Sequence, residues 1–224
     1  MKPACVVLFS GGLDSTTTLY LALKKGLRVH ALTLDYGQVH RREIESAKKI
    51  AKKLHIPHQI LSLPMPWKGS ALLDKSKKLP TRRSLSQMTC EIPVTYVPAR
   101  NTIFLSIALA WAEVINASSV WIGANAVDFS GYPDCRPDYL KAMEKVFGLG
   151  TKNGRQGKKI AIKAPLVRKT KAGIVKLAIQ LGVPVERTWS CYRGGKKPCG
   201  VCDSCLLRQK GFEEAGIVYV ETCA

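Results

Sequence analysis

The stretch Ala4-Cys5-Val6-Val7-Leu8-Phe9-Ser10-Gly11-Gly12-Leu13-Asp14-Ser15-Thr16 decides the fold. Its first six residues form an unbroken apolar run, the pattern of a strand buried on both faces by covering helices. The run breaks at Ser10-Gly11-Gly12, and a helix is expected from Asp14 or Ser15 to Lys25, with Gly26 as its stop. Arg28 to Asp35 reads as a second strand. Ile44, Ala47, Ile50, Ala51 and Leu54 then recur at helical spacing, giving an amphipathic helix with a basic outer face. His58 to Ser62 reads as a third strand. This β-α-β-α-β opening predicts an α/β fold, a doubly wound, Rossmann-like parallel sheet with right-handed crossovers.

The remainder continues the alternation less regularly. Residues 64 to 98 hold Pro64, Pro66, Pro80, Pro93 and Pro98, which predicts an irregular excursion with one short helix. Asn101 to Asn116 is apolar nearly all round, so an internal helix is expected. Ser119 to Gly123 reads as a fourth strand, followed by a polar loop to Pro137 and a helix from Asp138 to Phe147. A Gly/Lys-rich turn leads to a strand at Lys159 to Lys163. Val175, Ala178 and Ile179 mark a last helix of this body, ended by Gly182 and Pro184. The expected division is an α/β body over 1–185 and a small four-cysteine segment with a closing helix over 186–224.

Composition narrows the classes. Hydrophobic residues at 46% and charged residues at 23% of 224 exclude a disordered, collagen-like or coiled-coil chain. No apolar run approaches the ~20 residues of a membrane helix. Ile103 to Ile115 is too short and carries Glu113, and the start lacks a secretory pattern, so a soluble, cytoplasmic protein is expected. The 35 basic and 16 acidic residues leave a net charge of +19, which favours encounter with anions. Nucleic acid, nucleotide phosphates and small carboxylates all fit, as does a plain solvated basic surface. The cations fall in several clusters, including Arg168 to Lys171, rather than in one tail.

Two motifs carry chemistry. In Ser10-Gly11-Gly12-Leu13-Asp14-Ser15-Thr16 the glycines permit a tight turn and close backbone approach. Ser10, Ser15 and Thr16 add hydroxyls, and the helix N-terminus adds partial positive charge, so the segment is a phosphate cradle. It is not a Walker-type loop, since no Gly-x-x-x-x-Gly-Lys-Ser/Thr occurs. The second motif is Cys191-x7-Cys199-x2-Cys202-x2-Cys205, four of the eight cysteines within fifteen positions. Four thiolates at that spacing suit one structural Zn²⁺ per chain, with an iron–sulfur cluster as the competing occupant. Cys5, Cys90, Cys135 and Cys223 are scattered and read as ordinary small residues.

Ser-Gly-Gly-Leu-Asp-Ser resembles the pyrophosphate loop (PP-loop) of the adenine-nucleotide alpha hydrolases, which split ATP to AMP and pyrophosphate. The resemblance implies ATP binding over Leu8, Phe9, Ser10, Gly11, Gly12, Leu13, Asp14, Ser15, Thr16, Thr17 and Thr18. It also implies a catalytic part for Asp14 in placing Mg²⁺, with Asp35 as a second candidate near the metal. Further strings resemble the 7-cyano-7-deazaguanine synthases of queuosine biosynthesis. They are Asp35-Tyr36-Gly37-Gln38 with His40 and Glu43, Val97-Pro98-Ala99-Arg100-Asn101, the run from Gly123 to Pro137, and Cys199 to Cys205 with Arg208, Gly211 and Phe212. Ala99 departs from the family, which more often has Gly, and a Cβ at φ > 0 would be strained there.

This second resemblance implies a ligase that converts 7-carboxy-7-deazaguanine and ammonia to the nitrile with ATP, through an adenylated carboxylate and an adenylated amide. Arg100 is then expected to steady the α-phosphate. Asp134 would accept the guanine-like edge, and Arg136 would pair with the substrate carboxylate. No glutaminase segment is visible, so free ammonia is the expected nitrogen source. A homodimer is expected, without stable nucleic-acid or membrane partners. The rivals are a PP-loop tRNA-modifying enzyme, either a thiolase or a lysidine-type ligase, and a zinc-ribbon nucleic-acid module.

Overall fold

In a computed structural model of the chain, residues 2–89, 91–126 and 131–218 are described. Cys90, Cys223 and positions 127–130 of the Gly123 to Pro137 string lie outside them. The described elements run β1 (Ala4–Leu8), α1 (Leu13–Lys24), β2 (Arg28–Asp35), α2 (Arg42–Lys53), β3 (His58–Ser62), α3 (Leu85–Thr89), α4 (Arg100–Val114) and β4 (Ser119–Trp121). They continue with α5 (Pro137–Gly150), α6 (Lys152–Arg155), β5 (Ala161–Lys163), α7 (Lys171–Gln180) and α8 (Asp203–Ala215). The strands form one parallel sheet in the order β3-β2-β1-β4-β5. The order reverses between β1 and β4, and such sheets bind ligands beyond the strand ends at that switch point.

The two-residue period of β1 explains both layers. Val6 and Leu8 point to one face, where they pack with Leu105, Ala108 and Ala112 of α4 and Leu140 and Phe147 of α5. Cys5 and Val7, with Phe9 just beyond, point to the other face, against Leu19 and Ala22 of α1 and Ala47 and Ile50 of α2. Every residue of β1 is buried, so its unbroken apolar run is what a central strand requires. Burial pushes the Cys5 thiol up to about 12, in keeping with an inert core residue.

One helix corrects the expectation. In α4 only Asn101, Leu105, Ala108 and Ala112 are buried, and Val114 is 78% exposed. The helix covers one face of the sheet and turns its other side outward, so an apolar sequence did not make it internal. Its N-cap, Ala99, sits at φ 53°, and the strain expected of a Cβ there costs about 1–2 kcal/mol.

A third cluster ties the C-terminal segment to the body. Phe212 of α8 packs with Ile174, Val175 and Ala178 of α7 and with Leu13 at the start of α1. The excursion after β3 also reaches this segment. Thr81 bridges to Cys202, Arg82 N–H donates to the Val201 carbonyl at 2.9 Å, and Arg83 is ion-paired with Asp203.

Candidate active site

The phosphate loop is built by hydrogen bonds of its own. The Gly12 N–H donates to Ser10 Oγ at 3.2 Å, the Ser10 N–H to Ser15 Oγ at 3.2 Å, and Ser15 Oγ to the Gly12 carbonyl at 3.1 Å. A cavity opens over the loop, walled by Leu8, Phe9, Ser10, Gly12, Leu13, Asp14 and Ser15. The remaining residues expected to bind ATP are not among its walls. Thr16 donates to the Gly12 carbonyl at 2.7 Å and Thr17 to the Leu13 carbonyl at 2.8 Å, and both, with Thr18, are fully buried. They are buried along α1 by the packing around it, although Thr17 and Thr18 stand three and four positions from Asp14.

Gly11 is also off the cavity. It sits at φ +87°, and a Cβ there would fall 2.4 Å from the Glu43 carbonyl and 2.6 Å from the Ala47 nitrogen. The glycine serves the close approach of α2 to the loop rather than that of a ligand. The Gly11 carbonyl accepts from the Trp189 N–H at 3.0 Å and lies 3.0 Å from Ser46 Oγ, which also reaches the Arg187 carbonyl. Gly123, two residues past β4, presses from the other side, since its Cβ would stand 3.0 Å from the Ser15 nitrogen.

Asp14 is the centre of charge at the loop. Its Oδ2 accepts from Lys171 Nζ at 2.7 Å and from Asn125 Nδ2 at 3.0 Å. Its Oδ1 is buried without a hydrogen-bond partner, an orphaned anionic oxygen of the kind a cation or ligand satisfies. Lys171 opens α7, whose Thr170 caps it by accepting from the Gly173 N–H at 3.2 Å. The lysine reaches Asp14 past α8 because residue 211 is glycine, where a Cβ would meet Lys171 Cγ at 2.5 Å.

The α2 side of the cavity differs. Arg100 lies over the rings of Tyr36 at 5.6 Å and Phe104 at 5.9 Å, and donates to Tyr36 Oη at 3.4 Å. Burial opposes its charge, but Tyr36, Tyr132 and Asp134 outweigh that and hold the guanidinium above its ordinary pKa. Burial pushes the Glu43 carboxyl up to about 7, against the pull of Arg100 and with a push from Cys191. His40 also borders the cavity, packed against Gly194, and burial lowers its pKa.

Asp134 and Arg136 are not brought to the cavity wall. Asp134 is buried, and its Oδ2 accepts the Asn101 N–H at 3.0 Å in the first turn of α4. Arg136 is exposed and pairs with Asp138 at 3.4 Å. Asp35 likewise pairs with Arg41 at 3.0 Å, away from Asp14's neighbourhood. Reading missed Lys171, Asn125 and Glu43 as site residues. Each stood in a quoted string or basic cluster, but nothing local tied any of them to the loop.

The four cysteines do meet. One sulfur each from Cys191, Cys199, Cys202 and Cys205 lies within 4.8 Å of all the others, close to the ~3.8 Å edge of a tetrahedron with Zn–S near 2.3 Å. Cys191 Sγ accepts from the N–H of Cys199 at 3.3 Å and of Arg193 at 3.4 Å, and Cys199 Sγ from the N–H of Cys202 at 3.4 Å. Hydrogen bonds from Cys202 and Cys205 hold Cys191 well below the usual thiol range. Cys202 is pushed up to about 11 by supplying one of them. Thiols sharing protons around one thiolate are a donor set from which a cation displaces those protons. The cluster can hold a metal ion.

Comparison with known proteins follows this geometry. The family model for queuosine biosynthesis protein QueC matches residues 4–216. A 7-cyano-7-deazaguanine synthase of Trichodesmium erythraeum is 58% identical over 95% of this chain and 96% of that relative. One of Thermoplasma acidophilum is 54% identical over 96% of this chain and 90% of that relative. Among solved structures, NMN synthetase from Francisella tularensis covers 99% of this chain and 80% of its own, with a TM-score of 0.51 at 20% identity, a likeness of fold alone. Identity above one half over nearly the whole length, on a sheet that carries the loop and the four cysteines in place, leads to one conclusion: the chain belongs to the QueC family of queuosine biosynthesis proteins.

Proposed function

We propose that this chain is a 7-cyano-7-deazaguanine synthase that joins 7-carboxy-7-deazaguanine and ammonia at the expense of ATP, within queuosine biosynthesis. The observation that carries the reading is Asp14, paired to Lys171 and Asn125 beside a phosphate loop in a chain of this family. Ser10, Gly12 and Ser15 would take the β- and γ-phosphates, and Lys171 would neutralise charge on the departing pyrophosphate. Asp14 Oδ1 would hold Mg²⁺, which supplies charge neutralisation on the phosphates. Arg100 would steady the α-phosphate from the other wall.

The chemistry needs two activations. A carboxylate oxygen attacks the α-phosphorus, pyrophosphate leaves, and ammonia displaces AMP to give the amide with loss of a proton. The amide oxygen then attacks a second ATP, and loss of AMP and the nitrogen-bound protons leaves the nitrile. The four cysteines would hold Zn²⁺ rather than an iron–sulfur cluster, since sulfurs within 4.8 Å of one another enclose one ion and leave no room for several. The division at residue 185 is retained on the same terms, a nucleotide-holding body and a metal-braced clamp against it. Free ammonia as nitrogen source and a homodimer belong to the same proposal.

Product analysis with ATP, ammonium and 7-carboxy-7-deazaguanine tests it. The expected outcome is two AMP and two pyrophosphate per nitrile, and half that consumption from the synthetic amide. ADP with phosphate would contradict the loop assignment, and accumulation of amide alone would make the chain an amide-forming ligase. The tRNA-modifying reading draws on the +19 charge, and on Cys135, which borders the cavity with its sulfur accepting from Asn101 Nδ2 at 3.1 Å. Binding of unmodified tRNA with a steep salt slope would favour it.

A further inference from the structure

The α2 wall of the cavity carries a carboxylate to which no group of the described residues donates. Among the described residues Glu43 makes no hydrogen bond and no ion pair. Asp14 is held by Lys171, Asp35 by Arg41, Asp203 by Arg83, and Asp134 by the Asn101 N–H. Arg100 acts on Glu43 only through its field and donates to Tyr36 Oη instead, so both carboxylate oxygens stay open to donors. A half-buried carboxylate without donors is costly, so its position at the wall is explained by donors that arrive with a ligand.

The kind of ligand follows from the surroundings. A phosphate is repelled by Glu43 and is already provided for on the β4–α7 side, where Lys171 and the loop lie. The group at Glu43 is therefore uncharged and rich in N–H. Tyr36 and Phe104, with Arg100 stacked on them, border the same cavity, Tyr36 and Arg100 near enough to Glu43 to feel its charge, and they suit a flat heterocycle. The 2-amino-pyrimidinone edge of a guanine-type base offers N1–H and a 2-amino N–H side by side, a pair that the two oxygens of one carboxylate match. In a 7-carboxy-7-deazaguanine this edge lies at the opposite end of the bicycle from the carboxyl group. A carboxyl delivered to ATP over Asp14 thus sends the edge toward the other wall.

On the functional reading above, we propose that Glu43 accepts N1–H and the 2-amino N–H of the deazaguanine and so selects guanine-type bases. Asp134, which the sequence suggests for this part, already spends its Oδ2 on the Asn101 N–H.

The test compares AMP release from 7-carboxy-7-deazaguanine and from its analogue lacking the 2-amino group, using the metal-loaded full chain and Glu43→Gln. The wild type should prefer the 2-amino base by about 100-fold or more in kcat/KM, since a site built for N–H donors is left unpaired without them. Glu43→Gln should narrow that preference to under about tenfold, chiefly by raising KM for the 2-amino base. Retained discrimination in Glu43→Gln would overturn the proposal, as would an equal fall of kcat on both bases, the mark of proton transfer. Should the variant not fold, the wild type alone decides: strong preference supports the proposal and equal use of the two bases overturns it. No AMP from either base would overturn the functional reading and this proposal together.

Discussion

The phosphate loop after β1 keeps its shape with hydrogen bonds between Ser10, Gly12 and Ser15, whereas the cysteine segment gathers four thiols that repel one another once ionised. The backbone of the first region is fixed without a ligand by a parallel strand and a helix start, and only Asp14 Oδ1 is left unpaired. The second shares protons among its thiols, which a bound cation would replace. Yet the two are joined. The Trp189 N–H donates to the Gly11 carbonyl, and Gly211 makes room for the lysine that pairs with Asp14. The loop backbone is thus braced by a segment able to hold a metal ion, so a bound metal should matter for ATP chemistry without touching ATP.

Stripping the metal with a chelator, or Cys202→Ala, should have the largest effect. The loss should be about 4 kcal/mol or more of stability, and AMP formation should fall with it. Thermal melting with and without added Zn²⁺ reads this, and an unchanged melting temperature would break the contrast between the regions. Asp14→Ala should do the reverse. AMP formation should drop at least about 100-fold while melting stays close to wild type, because the carboxylate faces the cavity rather than the core.

Gly11→Ala tests the wall between α2 and the loop. A Cβ 2.4 Å from the Glu43 carbonyl at φ +87° should cost about 3 kcal/mol of stability, beyond any effect on ATP affinity. Loss of ATP binding with full stability would return Gly11 to the ligand. The smallest effect belongs to Ser46→Ala, which removes a hydroxyl lying between the Gly11 and Arg187 carbonyls. About 1 kcal/mol should be lost in denaturant melts, with metal content intact. No change at all would mean that the Ser46 hydroxyl takes no part in joining the loop to the clamp.

Legibility in the sequence followed the range of the forces involved. β2 and β3 fall at Arg28–Asp35 and His58–Ser62, as read, because apolar runs between Gly, Pro and helical patterns are bounded locally. The excursion over 64–98 with its short helix was legible from proline spacing. The half-open placement of α4 was not, since an apolar helix can be internal or can lie on one face of a sheet with a side open. Thr16, Thr17 and Thr18 were grouped with the phosphate loop by adjacency, and the packing around α1 buried them. Asp134 and Arg136 stood in a family-specific string, but their charges are met by the Asn101 N–H and Asp138.

By itself the sequence determined the alternation of strands and helices, the phosphate loop, and four cysteines spaced to hold a metal. Each is written in residues within about fifteen positions, where backbone geometry leaves few choices. Only the tertiary structure decided which oxygen of Asp14 is taken by Lys171, 157 residues away, which carboxylate at the cavity is left open, and which glycine yields to a helix. Those pairings depend on where distant chain segments meet. Local propensity carries no record of that meeting, because it is set by packing across the sheet.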